Sequence, residues 1–308
     1  MFNLVKKRKY FYIFSATLIV LSLLSIFIWK LNLGIDFLGG SVIELSNNGI
    51  ASQLNEIEAE SASIGITVDS ASTSGNDKII LRTRNLSTDE HQKLIDELQK
   101  DNPGISESSY QTIGPTVSKD ITSKAIWAVI VASIAIIIFI SYAFRKVPKP
   151  ANSWRFGIAA VAALIHDLIV TTGFVSVVGH FYSFMQVDAL FITALLTVMG
   201  FSVHDTIVVF DRLRENMVRH PNSDIESLAN DSILQTISRS INTSLTTIMV
   251  LLALFLIGGT SISHFVLILI AGITFGTYSS IFIATMLLIS WQKQIEHSKT
   301  QKAKELAI

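Results

Sequence analysis

Apolar runs of about 20 residues, each long enough as a helix rising 1.5 Å per residue to cross about 30 Å of hydrocarbon, recur along most of the chain. They predict spans at 10–30, 121–144, 156–178, 189–210, 238–257 and 265–291. The first, YFYIFSATLIVLSLLSIFIW, follows Lys6 to Lys9 as a signal peptide would, but it lacks a small-residue cleavage motif and is expected to stay as a span. The segment 1–9, the links 145–155 and 211–237 and the tail 292–308 carry most of the basic residues. Arg145, Lys146, Lys149, Arg155, Arg212, Arg214, Arg219, Lys293, Lys299, Lys302 and Lys304 all lie there, whereas the links 179–188 and 258–264 have no Lys or Arg. The positive-inside rule therefore places both termini in the cytoplasm, with Tyr10, Tyr12, Trp29, Trp127 and Tyr142 near the interfaces. The expected class is an α-helical polytopic membrane protein with six spans.

Residues 31–120 break this rhythm and predict one extracytoplasmic domain. IDFLGGSVIEL reads as a strand, Ile50 to Ala62 has helical spacing, and ITVDSAS and KIILRTR are strands joined by the turn SGND. Ser87 and Glu90 form a capping box that opens a helix through Leu98, and ISESSYQTI is a last strand. The order β-α-β-β-α-β predicts a small ferredoxin-like α+β sandwich. It carries one His, His91, and no nucleophile constellation; Glu56, Glu58 and Glu60 mark a solvated helix face. In the link 211–237, Ser223 and Glu226 predict a second capping box. The stripe Ile225, Leu228, Ala229, Ser232, Ile233 there predicts an amphipathic helix on the membrane or the neighbouring spans. Gly272 and Gly276 form a G-x-x-x-G face suited to close helix packing.

Composition agrees with a membrane protein: 50% hydrophobic and 16% charged residues, with a mean hydropathy of +0.50. Lys+Arg and Asp+Glu balance at 24 each, which argues against a nucleic-acid partner. The absence of cysteine excludes disulfides and thiolate metal sites.

The chemistry sits inside the apolar runs. His204 and Asp205 lie in the fourth span, Asp205 about 9 Å inside its cytoplasmic end, and a carboxylate there costs at least about 2.5 kcal/mol on insertion scales. Such a group is a proton or ion site, or else it bonds a neighbouring helix as structural glue. His166 and Asp167 occupy the middle of the third span, and Arg239 enters the fifth from the cytoplasmic side, where it is either a partner for Asp205 or a snorkelling interface residue. An Asp beside Arg keeps its charge, and the same Asp with Arg withdrawn takes up a proton, which makes a switch. A proton crossing 100 mV releases about 2.3 kcal/mol, enough to bias an alternating helix arrangement. Three other classes share some of these residues. An intramembrane aspartyl protease would use Asp167 and Asp205, but no Gly-rich unwound context surrounds them. A metal carrier would use both His-Asp pairs, whose members point about 100° apart on a helix. A small-molecule or lipid exporter would share the proton chemistry, although the extramembrane domain is small for it.

Four motifs carry a resemblance: GIDFLGG after the first span, ALIHDLIVTTG, GFSVHDTIVVFDRLREN, and TISRSINTSLTT at the fifth span. In order and topology the chain resembles the SecF proteins of the SecD/SecF family, within the resistance-nodulation-division superfamily. The resemblance implies a non-enzymatic subunit of the Sec protein-export machinery in the bacterial cytoplasmic membrane. It further implies a SecD-like partner, the translocation channel and the translocating polypeptide as contacts, with no cofactor and protons as the coupling ion. It puts the proton-pathway aspartate on Asp205 and the functional arginine on Arg239, and it matches the family signature at Gly34, Asp36, Gly39 and Gly40. His204 stands where that pattern has Asn; it either alters the pH response or substitutes as a neutral hydrogen-bonding group. One six-helix unit also implies a second from elsewhere, because transporters of this kind rock two halves against each other.

Overall fold

The computed structural model describes residues 3–73, 76–148, 152–182 and 184–305. Contacts divide the chain into two compact units, one holding residues 32–127 and 186–189 and the other the remainder. In chain order the elements are α1 (Arg8–Trp29), a short turn of helix α2 (Ile35–Leu38), β1 (Gly40–Ser46), α3 (Leu54–Ser63), β2 (Val68–Thr73) and β3 (Lys78–Thr83). There follow α4 (Thr88–Asp101), β4 (Ser106–Ile113), α5 (Pro115–Ala143), α6 (Ser153–Phe181), α7 (Ala189–Arg219) and α8 (Ile225–Ile257). Finally α9 (Thr260–Tyr278) passes through a π-helical turn (Ser279–Ala284) into α10 (Thr285–Glu305).

In the smaller unit the four strands form one antiparallel sheet in the order β2-β3-β1-β4. Alternation along β1 and β3 buries Ile43, Leu45, Ile79 and Leu81 on one face, where Ile57 of α3 and Leu94 and Leu98 of α4 cover them. The Ser87–Glu90 capping box is present, and Arg84 adds a 2.6 Å ion pair to the same carboxylate. That guanidinium, with the Ser87 amide and hydroxyl, holds the Glu90 carboxyl down from its usual 4.5 to about 2. Its contribution to stability is therefore complete above about pH 4.5 and disappears as the pH falls through about 2. Arg84→Ala is expected to move the Glu90 midpoint upward toward 4.5 in a carboxyl-detected NMR titration.

Among the described residues of the chain, six helices are long and apolar enough to cross a membrane: Val5–Trp29, Pro115–Ala143, Ser153–Phe181, Ala189–Arg219, Ile225–Ile257 and Ile262–Ile295. The third, fourth and sixth are half or more buried within the protein, whereas α1, α5 and α8 leave large apolar side chains such as Phe27, Ile138, Val250 and Leu256 on the surface. Small residues let the inner helices approach. A Cβ on Gly173 of α6 would overlap Ser22 of α1, and one on Gly272 of α9 would overlap Val198 of α7. Within this core the rings of Phe144 and Phe156 stack at 5.1 Å, and Phe210 meets Phe156 edge-on at the same centroid spacing.

Several elements differ from expectation, each for a local reason. The predicted strand begins only at Gly40: residues 35–38 make a helical turn that ends at Gly39, whose φ is 76°, and the Asp36 side chain bonds the Ala189 amide. The N-cap before Ile225 is Asp224, whose carboxylate accepts from the Glu226 amide, and not Ser223. The amphipathic helix and the fifth span are one continuous helix, α8, since no Gly or Pro interrupts residues 225–257. α7 likewise continues past 210 to Arg219, next to His220 and Pro221. Arg155 is not a solvated loop cation: it lies in α6, buried, and donates to Gln292 Oε1 at 2.6 Å between the rings of Trp154 and Trp291. Ser74 and Gly75 of the SGND turn, Lys149, and the side chains of Lys299, Lys302 and Lys304 lie outside the described residues.

Candidate functional site

Asp205 lies within α7 with 1% of its surface exposed. Ser240 and Ser244, one turn apart on α8, face its carboxylate, and Ser244 Oγ donates to Oδ2 across a long 3.4 Å. Ser244 also meets Thr277 of α9 at 2.6 Å and the Ser240 carbonyl at 3.0 Å. The single Ser244 hydroxyl proton serves three acceptors, and the Ser240 hydroxyl is the second donor that faces the carboxylate. His204, the next residue back, is exposed on the outer face of α7, as the 100° step between neighbours dictates.

Arg239 precedes Ser240 and is exposed. It lines a cavity of about 520 Å³ with Asp211, Arg212, Arg214, Glu215 and Gln235. The other arginines there are taken: Arg212 pairs with Glu215 at 2.5 Å and Arg214 with Asp211 at 3.7 Å. Among the described residues Arg239 forms no ion pair, with Asp205 or with any other carboxylate. The predicted Asp205–Arg239 pair is thus not closed in this conformation, although Arg239 is directly followed on α8 by a serine that faces Asp205.

The second His-Asp pair behaves differently. His166 Nδ1 bonds Asp167 Oδ1 at 3.0 Å, and Ser202 of α7 donates to Asp167 Oδ2 at 2.7 Å. Asp167 and Asp205 therefore bond to different partners and share no proton, contrary to what an aspartyl protease needs. Among the described residues no group of three or more His, Cys, Asp or Glu could hold a metal ion. Sequence reasoning missed the serines: Ser202, three residues before Asp205, and Ser280 in the π-helical turn both sit in apolar runs, where a hydroxyl is the available signal.

The glycine-rich segment after α1 is a latch. Gly34 N donates to Val187 O and Val187 N to Asn32 O, each at 2.8 Å, so the segment pairs with the residues just before α7. Asp36 Oδ2 then accepts from the amide of Ala189, the first residue of α7, at 2.7 Å. Gly40 has φ 120°, and a Cβ there would stand 2.6 Å from the Thr83 carbonyl, so only glycine fits. Asp36→Ala removes the cap and is expected to cost about 1 kcal/mol, seen as faster hydrogen exchange of the first amides of α7.

Fold and site together define a multi-pass membrane protein with carboxylates buried inside its helix bundle and a sheet domain between its first two spans. Residues 93–294 match the family described as protein export membrane protein SecD/SecF, C-terminal, and residues 24–46 match the SecD/SecF GG motif. The protein translocase subunit SecF of Anaerolinea thermophila is 41% identical over 95% of this chain and 94% of its own length. That of Thermobaculum terrenum is 40% identical over 96% and 95%. The protein translocase subunit SecDF of Bacillus subtilis is 35% identical over 94% of this chain, which spans 38% of that protein. The crystal structure of SecDF from Thermus thermophilus, described as a translocon-associated membrane protein, superposes with TM-score 0.81 at 29% identity over 95% of this chain and 39% of that one. The chain belongs to the SecD/SecF protein-export family.

Proposed function

We propose that this chain is the SecF-like subunit of a bacterial protein translocase, which uses the proton-motive force to promote movement of polypeptides across the cytoplasmic membrane. The observation that carries the proton reading is Asp205: a carboxylate 1% exposed in an apolar bundle, faced by serines, near an arginine that has not paired with it. In this reading Asp205 takes up a proton with Arg239 withdrawn and releases it as Arg239 approaches, so one carboxyl has two states that the helix arrangement can follow. The cavity beside Arg239 supplies its access from the polar side.

A SecD-like chain supplies the second half. Support comes from the two SecDF proteins, in each of which this chain accounts for about two fifths of the length, and from the apolar surfaces of α5 and α8. The basic residues at the ends of α7 and α10 support cytoplasmic termini. The sheet domain is ferredoxin-like in this reading, supported by its β-α-β-β-α-β order and its strand order β2-β3-β1-β4, and it faces the opposite side, with the translocating polypeptide and the channel.

The test is co-reconstitution with the SecD-like partner and the translocation channel in vesicles under an imposed proton gradient. Substrate export is expected to be faster with this chain than without it, and an ionophore is expected to abolish the difference. A gain that survives the ionophore would leave only an assembly role.

A further inference from the structure

The pair His166–Asp167 is left unused by a mechanism centred on Asp205, yet it is bonded to a second helix of the bundle through Ser202. Both side chains are buried, at 4% and 1% exposure. Asp167 Oδ1 is bonded by His166 Nδ1 at 3.0 Å, and Oδ2 accepts from Ser202 Oγ at 2.7 Å. Ser202 Oγ lies 2.8 Å from Ser280 Oγ, and Ser280 donates to the Ser202 carbonyl at 2.7 Å. Gly276 leaves open the side of Asp167 Oδ2, where a Cβ would stand 3.5 Å away. The far nitrogen of the imidazole, His166 Nε2, is buried with no hydrogen-bond partner.

Charge decides what this arrangement can hold. No Lys or Arg of the described residues bonds to the pair. Three titratable groups on the helices around α6 hold other hydrogen bonds: Tyr278 of α9, its ring centroid 6.5 Å from that of His166, donates to Phe11 O, Tyr12 of α1 meets Ser290, and Asp205 of α7 meets Ser244. His204 of α7 is exposed on its outer face. A neutral imidazole beside an ionised Asp167 leaves one uncompensated negative charge in low dielectric, whereas one added proton makes the unit neutral overall. The orphan Nε2 is the atom that can receive it.

We infer that His166–Asp167 is a second proton-binding site, distinct from Asp205, loaded at His166 Nε2 and sensed by α7 through Ser202 and by the π-helical turn through Ser280. The proton forms an N–H bond at Nε2; the Nδ1–H proton can then pass to Asp167 Oδ1, which leaves a neutral imidazole and a neutral carboxyl, so one proton enters and none is lost. With Oδ1 protonated, Asp167 is a weaker acceptor for Ser202, whose single proton can turn to Ser280 instead. That exchange alters a bond between α6 and α7 three residues from Asp205, and another at a π-helical turn, a feature that recurs at functional sites. Ser202 and Ser280 are positioning residues in this scheme.

The consequence for transport rests on the proton-driven reading above, but the site itself does not, and the experiment keeps the two apart. The full-length protein with ¹⁵N-histidine is reconstituted in lipid bilayers, and the His166 resonances are identified by their loss in His166→Gln. As the pH is lowered from about 8 to about 5 the Nε2 signal is expected to pass from an unprotonated to a protonated shift, and to do so equally in Asp205→Asn. Ser202→Ala, which leaves the pair in place, is expected to move the midpoint, and Asp167→Asn to move it further. A His166 ring fixed in one protonation state across that range, or a titration that vanishes in Asp205→Asn, would overturn the inference. Failure of Asp205→Asn to impair export, with His166 still titrating, would overturn the transport reading and leave this site standing.

Discussion

Asp205→Asn is expected to insert and fold normally and to lose the whole proton-dependent share of export. Asparagine matches the size of the protonated acid but cannot release a proton, so the variant stays in one of the two states. A single proton crossing 100 mV supplies about 2.3 kcal/mol, which corresponds to a bias of about fifty-fold between two helix arrangements. Removing it therefore takes away a drive of that order. Export with the gradient present is expected to fall to the level of the ionophore-treated wild type, measured as substrate accumulated in reconstituted vesicles. Asp205→Glu keeps a titrating group and is expected to retain part of the effect. Arg239→Met leaves Asp205 without its approaching cation and is expected to share the loss while keeping normal thermal stability, because Arg239 is exposed and forms no ion pair among the described residues. Export by Asp205→Asn that still responds to the gradient would remove the mechanism.

Gly173→Leu is expected to be the most destabilising of the glycine substitutions. The position has no room: a Cβ would overlap the Cβ, Oγ and backbone Cα of Ser22, and Ser25 Oγ donates to the Gly173 carbonyl at 3.2 Å. Because the obstacle includes backbone, α1 and α6 must separate, and overpacking of this kind costs about 1–3 kcal/mol. Ser15, Ser22 and Ser25 form the buried stripe of α1, so the separation would also expose hydroxyls to lipid. Thermal denaturation in detergent is expected to show a clearly lowered midpoint. Gly200→Ala is the control: nothing lies within 4 Å of its added Cβ, and the stability is expected to hold or rise by up to about 1 kcal/mol from helix propensity.

The spans were legible because their hydrophobicity is carried by every residue in a long run, and no tertiary contact is needed to sum it. The strand and helix order of the sheet domain was legible for a related reason, since alternation along KIILRTR and the Ser87–Glu90 box act locally. Helix ends were not. Where α8 begins depends on whether an amphipathic turn stays helical into the bilayer, and its buried stripe decides that through contacts far along the chain. Asp205 and Arg239 stood out as charges in apolar surroundings; that they are unpaired did not, because two helices must be placed in three dimensions before their separation has meaning. The role of Asp36 was hidden likewise, as its partner Ala189 is 153 positions away. Ser202 and Ser280 gave the weakest signal, because single serines are common in membrane helices and only their proximity to Asp167 distinguishes them.

The wide turn at Ser279–Ala284 sets the angular phase of everything after it. Its backbone carries a surplus residue relative to an α-helical ladder, and each residue of an α-helix advances the chain by about 100°. Winding the same residues as a regular α-helix, with none removed, would swing α10 by about that angle. Gln292 would then face away from Arg155, and Lys293 away from Glu226, which it now meets at 2.9 Å. Both fasteners at the far end of the span thus owe their alignment to a kink in winding more than a turn of helix before them.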